Sequence, residues 1–149
     1  MKSDKFYNTP AWTYFRKYVM LYHAKQSNGE YYVTCATSKR TLLLPHENTI
    51  CGHYIKVFGA SGQTSWATAF DFRNCLPQSK QQNIHMGGNQ SEMAESINRI
   101  HGAGTTDELY RLSKEYCTMN KADLQDQRDK WKKRFEELVK EKGGDPWKK

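Results

Sequence analysis

One histidine and several polar residues in the middle of the chain have the types needed to hydrolyse a phosphodiester. His53 comes first, then Asn74, then Asn83 and His85. An imidazole titrates near neutral pH and can accept the proton of a water that attacks phosphorus. An asparagine side chain can orient that imidazole by hydrogen bonding. A further histidine or amide oxygen can hold a divalent metal ion that stabilises charge on the phosphate.

This order of residues leaves alternatives open. Histidine and asparagine recur by chance in polar chains, so His53 is equally readable as a half-buried strand residue and Asn74 as a turn residue. Two residues compete for the metal. Asn83 stands where a helix would start, whereas His85 is chemically the better ligand. The residues alone do not choose between them.

Helices and strands around these residues are predicted from local patterns. Thr9 and Pro10 suit the N-cap and first position of a helix over 9–26. Three β-rich segments follow, at 30–35, 41–44 and 50–58. The polar segment 77–88 allows a short helix. Helices are expected from Asn89, where Glu92 suits a capping box, from Thr105 and from Asn120, together covering about 89–142. The sequence thus predicts a single α+β domain over 1–149, with a core at about 30–90.

Composition and charge narrow the partners. The 149 residues include 23 Lys and Arg against 16 Asp and Glu, a net charge of +7. The charge is +5 over 1–60, −1 over 61–120 and +3 over 121–149. Such a basic balance favours nucleic acid over a membrane. The chain starts with polar residues and has no apolar run near the roughly 20 residues that span a bilayer, so we expect a cytoplasmic protein without a signal peptide.

Four pieces stand in one order and spacing within the stretch from 11 to about 115: Gly52-His53-Tyr54, Phe70–Asn74, the stretch from Gln78 to Asn83, and Gly87-Gly88-Asn89. Together they resemble the NinG (Rap) family of phage recombination endonucleases. The family belongs to the HNH, or ββα-metal, nucleases. The resemblance implies a β-hairpin followed by a helix, one divalent metal ion (Mg²⁺, Mn²⁺ or Zn²⁺), and DNA as the partner, with branched or junction DNA in phage recombination. The resemblance implies catalytic roles for His53 and Asn74 and metal binding for Asn83 and His85.

The chain departs from this family at its zinc knuckle. Of four expected cysteines only Cys35 remains, and Ser38, Ser79 and Gln82 occupy the other positions. Serine and glutamine are poor zinc ligands beside a thiolate. We therefore expect structural zinc to be absent and the hairpin and helix to be held by packing.

The sequence predicts an active metal-dependent DNA endonuclease. Lys39, Arg40 and Lys56 lie nearest the motif and are candidates for phosphate contact, although solvated surface charge is an equal explanation. The lost cysteines favour a rival, a non-catalytic DNA-binding protein on a degenerate HNH scaffold. The charged C-terminal helix allows a third interpretation, an interaction protein or a homodimer.

Overall fold

The chain forms a mixed α and β structure, described by a computed structural model for residues 1–84 and 89–148. The helices in this part of the chain are α1 (Ser3–Tyr7), α2 (Pro10–His23), α3 (Lys80–Ile84), α4 (Gln90–His101), α5 (Thr105–Ser113) and α6 (Lys121–Lys142). The strands are β1 (Lys25–Ser27), β2 (Glu30–Thr34), β3 (Thr41–Leu44), β4 (Thr49–His53) and β5 (Cys75–Ser79).

Helices α2 and α6 form the largest helix-to-helix contact. The Thr9 hydroxyl caps α2 by accepting a hydrogen bond from the Trp12 amide at 3.2 Å, as predicted. Asn120 starts α6 with a complete capping box. Between the two helices, the rings of Phe15 and Trp131 meet edge to face at 4.8 Å, inside a core rich in aromatic residues. These large side chains allow a chain of mean hydropathy −0.92 to close its core.

Two antiparallel sheets lie beside these helices. Strands β1, β2 and β3 form one sheet in that order, and β4 pairs with β5 in the other. In the second sheet His53 is opposite Cys75. The amide of Ala36 donates to the carbonyl of Pro77 at 2.9 Å and so ties the chain after β2 to β5. Helix α3 follows β5 directly, so strand, strand and helix lie in sequence around His53.

Some predicted elements differ from the structure. The strand expected over 50–58 ends at His53; the Tyr54 amide still donates to the Asn74 carbonyl in register, but the next amide, of Ile55, bonds the Asn74 side chain at 2.8 Å instead of a strand partner. Asn89 takes the left-handed conformation (φ 49°) and makes no capping bond, so the capping box predicted with Glu92 is not formed. Tyr116, which follows α5, is 92% exposed.

No helix among residues 1–84 and 89–148 combines the length and the apolarity that crossing a bilayer would require.

Candidate functional site

A cleft of about 870 Å³ opens beside α2 and β4 and gathers the central polar residues. We call it the central cleft. Its lining includes Trp12, Arg16, His53, Lys56 and Asn83. The cleft thus holds one predicted catalytic residue, one predicted metal ligand and one predicted phosphate contact.

His53 is held in one orientation at the end of β4. Its Nε2 lies 2.9 Å from the carbonyl oxygen of Ala69, and its ring stacks on Trp12 with centroids 4.8 Å apart. A carbonyl can only accept, so Nε2 carries the proton and Nδ1 is the basic nitrogen of the neutral ring. The fixed tautomer suits a proton acceptor at the wall of the cleft.

Burial keeps this imidazole neutral. His53 is only 6% exposed, and desolvation lowers its pKa to about 4. The hydrogen bond to Ala69 raises the pKa and the nearby positive charge of Lys56 lowers it. At neutral pH the ring is therefore an unprotonated base.

Asn74 does not orient the imidazole, contrary to the sequence prediction. Its Oδ1 accepts from the Ile55 amide at 2.8 Å, and its Nδ2 donates to the carbonyls of Ile55 and Thr68, both at 3.0 Å. These three bonds tie together the two ends of the loop between β4 and β5. Since Ala69 follows Thr68, the fully buried Asn74 acts on His53 only through the loop that carries the Ala69 carbonyl.

Asn83 reaches the cleft from α3 and is positioned by β5. Its Nδ2 donates to Gln78 Oε1 at 3.1 Å, while its Oδ1 accepts no hydrogen bond from any described residue. Gly52 makes room for this pair. A Cβ at Gly52 would fall 2.0 Å from Gln78 Oε1 and 3.0 Å from Asn83 Nδ2. The glycine before His53 is thus required by close packing against Gln78.

Hydrogen bonds join the four positions that were compared with knuckle cysteines in the sequence, although they come from distant parts of the chain: Cys35, Ser38, Ser79 and Gln82. Cys35 Sγ accepts from the amides of Ser38 at 3.4 Å and Ser79 at 3.3 Å. The amide of Gln82 donates to Ser79 Oγ at 3.3 Å. Burial raises the pKa of Cys35, but hydrogen bonds from Ser38, Thr37 and Ser79 outweigh it and lower the pKa to about 6. Backbone amides thus hold the turn after β2 and the end of β5 together at this thiol.

The three candidate phosphate contacts separate in space. Lys56 is exposed and lines the central cleft. The Lys39 ammonium instead donates to the Ala36 carbonyl and the Ser96 hydroxyl, so it connects the turn after β2 to α4. Lys39 and Arg40 are not among the described residues that line the cleft. His85, the other expected metal ligand, lies outside the described residues.

The donor set for a metal ion is small. Residues 1–84 and 89–148 contain no cluster of three or more His, Cys, Asp or Glu side chains suited to a metal. The unengaged Oδ1 of Asn83 fits an oxygen-preferring ion, and Mg²⁺ keeps several waters and substrate phosphate oxygens as ligands. The described side chains therefore offer one free amide oxygen at the cleft and no all-protein metal cage.

Arg16 is a cleft residue that the sequence analysis missed. It follows Trp12 by four residues, so the two lie on one face of α2. That spacing was visible in the sequence, but nothing there indicated that this face meets β4.

Comparison with models of known protein families, with curated proteins and with solved structures gave no match.

The pH dependence of cleavage should report the buried imidazole. If His53 is the base, kcat/KM follows its pKa in the free protein and should fall only near pH 4, not near 6.5. Replacing Lys56 with alanine removes a neighbouring positive charge and should move this limb to higher pH. Initial rates from pH 3.5 to 8 measure this acidic limb for the wild type and for Lys56→Ala.

Acid unfolding must be separated from this titration. His23 also has a pKa lowered to about 4, mainly by burial, so the unfolded state binds more protons and stability falls from about pH 6.5 towards 4. Circular dichroism at each pH supplies the control. A limb near 6.5 in folded protein would argue against His53 as the base.

Proposed function

We propose that the protein is a metal-dependent DNA endonuclease of the HNH class. One observation carries the proposal: the hydrogen bond from His53 Nε2 to the Ala69 carbonyl, which leaves Nδ1 as a fixed base at the wall of a cleft. A base held in one tautomer next to positive side chains suits attack of water on a phosphodiester.

The order of elements supports this class. Strand β4 ends at His53, β5 pairs with it, and α3 brings Asn83 to the same cleft. The knuckle positions support it independently, because Cys35 and Ser79 are in contact across the chain as a lost zinc site would require. Both observations agree with the resemblance to the NinG family, which adds phage recombination and branched DNA as the proposed context.

In the proposed reaction, His53 Nδ1 takes a proton from water as the water attacks phosphorus. Trp12 and the Ala69 carbonyl keep the ring from turning. Asn83, with His85 as the second proposed ligand, would hold the divalent ion, which supplies charge stabilisation at the phosphate and leaving oxygen. Lys56 attracts the DNA backbone to the cleft.

The rival function is DNA binding without cleavage. The small donor set and the missing cysteines favour it, whereas the single tautomer of His53 favours catalysis. The experiment is nicking of supercoiled plasmid with Mg²⁺ or Mn²⁺, followed by addition of a chelator. Chelator-sensitive nicking supports the nuclease. Salt-sensitive retention of DNA without nicking supports the rival, and neither activity would favour an interaction protein.

DNA binding should depend strongly on salt. Contacts to about four to six phosphates predict a slope of roughly −4 to −5 for log affinity against log salt. Lys56→Ala should flatten this slope by about 1 on every DNA sequence. Lys39→Ala is the matched control, because its ammonium is engaged by Ala36 and Ser96 and the change should lower stability more than affinity. Fluorescence anisotropy at several salt concentrations measures the slopes.

Equal slopes for the wild type and Lys56→Ala would remove Lys56 from the interface. An affinity that does not change with salt concentration would show that the protein does not bind DNA through phosphate contacts.

A further inference from the structure

Arg16 presents a positive charge to the central cleft and has no anionic partner among the described residues. It is partly buried, and its guanidinium makes no salt bridge or hydrogen bond with any described residue. Desolvation lowers its pKa, against a smaller raising effect of Cys51. A guanidinium that has lost part of its hydration and gained no carboxylate is costly to the fold unless a ligand supplies the anion.

The position of Arg16 relative to His53 follows from two adjacent rows of residues. On α2, Trp12 and Arg16 are separated by one turn, about 6 Å. On β4, His53 and Cys51 face the same side, about 7 Å apart. Trp12 stacks on His53, while Arg16 and Cys51 line the same cleft beside this pair. Arg16 is therefore displaced from the imidazole by about one helical turn along the cleft.

That separation suits one phosphate group between the two side chains. A water hydrogen-bonded to Nδ1 lies about 3 Å from the ring, and its target phosphorus lies about 3 Å beyond. Non-bridging oxygens of the same phosphate then come within reach of a long arginine side chain. The planar guanidinium can donate two parallel bonds to two such oxygens.

The other charges around the cleft leave this role open. Lys17, the neighbour of Arg16 on α2, lies over the Trp147 ring at 5.5 Å. Lys56 follows His53 in the sequence and is exposed, and its ammonium is a point charge on a flexible side chain. Glu47 is the one carboxylate among the described cleft residues, and it forms no ion pair with Arg16.

We propose that Arg16 is a catalytic residue that binds the non-bridging oxygens of the phosphodiester attacked by the water on His53. This role of Arg16 rests on the proposed nuclease function and identifies a side chain that binds the transition state of that reaction. Charge accumulates on these oxygens as the water adds, so the guanidinium binds the transition state more tightly than the ground state.

The test compares Arg16→Gln and Arg16→Lys with Arg99→Gln. Arg99 is exposed on α4, outside the cleft lining, so its variant loses the same charge elsewhere. Arg16→Gln should lower kcat for a duplex oligonucleotide by about 10²–10³-fold with a small change in KM. Arg16→Lys should recover part of the loss, and Arg99→Gln should lower kcat by less than about twofold, with thermal unfolding confirming that all variants fold.

Two outcomes overturn the inference. One is cleavage by Arg16→Gln at the wild-type rate, and the other is an equal loss of kcat in Arg99→Gln. If the wild type cleaves no DNA, the proposed function fails, and affinity for the same duplex decides about Arg16 alone. If Arg16→Gln binds the duplex more weakly than Arg99→Gln, Arg16 contacts a DNA phosphate. If the two variants bind equally, Arg16 makes no such contact.

Discussion

His53→Ala should lose DNA cleavage by about 10²–10⁴-fold, the contribution of a general base, while it retains DNA binding. The physical reason is the single basic nitrogen at the wall of the cleft, fixed by the Ala69 carbonyl. No other described residue that lines the cleft offers a buried, neutral imidazole, because His46 is exposed in a loop. Single-turnover cleavage of a labelled duplex measures the loss.

The variant must also be shown to fold. Removing the ring leaves a cavity beside Trp12 and an unpaired Ala69 carbonyl, which together should cost about 1–3 kcal/mol of unfolding free energy. His101→Ala is the matched control, since His101 lies on α4 away from the cleft. Cleavage by folded His53→Ala at the rate of His101→Ala would remove His53 from the mechanism.

Local patterns predicted the elements whose ends depend on nearby residues. Strand β3 spans Thr41–Leu44 as expected, and α6 runs from the Asn120 cap to Lys142, where Gly143 takes the left-handed conformation. Thr9 and Pro10 likewise fixed the start of α2. Each boundary is set by a cap or turn within a few residues, which is information that a sequence carries directly.

Strand β5 was not predicted, because its stability comes from outside the segment. Pro77 and Gln78 belong to the polar segment that was expected to allow a short helix, yet both residues are buried in a strand paired with β4. The buried Gln78 amide donates to Thr37 Oγ1 at 3.2 Å and accepts from Asn83, partners that are distant in sequence or on the next helix. Such long-range partners have no periodicity along the chain.

The sequence likewise predicted some features of the candidate site and missed others. The sequence identified His53 and Asn83 as members of one site, and the structure places both at the central cleft. It could not show that the Ala69 carbonyl, rather than Asn74, orients the imidazole, because a backbone carbonyl has no residue-type signal. Lys39 was nominated by proximity in sequence, but its ammonium points to Ser96 on α4.

Asn74→Ala should strongly destabilise the fold. The substitution removes three hydrogen bonds and leaves the Ile55 amide and the carbonyls of Ile55 and Thr68 without their partner. At about 1 kcal/mol for each bond, the unfolding free energy should fall by roughly 3 kcal/mol. For a chain of this length, that corresponds to a Tm lower by roughly 6–12 °C.

Asn74→Asp supplies the contrast that identifies the cause. A carboxylate can still accept from the Ile55 amide, but it repels the two carbonyls to which Nδ2 donates. Asn74→Asp should therefore be strongly destabilised at pH 7 and partly rescued at pH 5, as its raised pKa lets the carboxyl group bind a proton and donate. Thermal unfolding of both variants at the two pH values measures the effect. A Tm within about 2 °C of the wild type for Asn74→Ala would show that the loop holds the Ala69 carbonyl without this clamp.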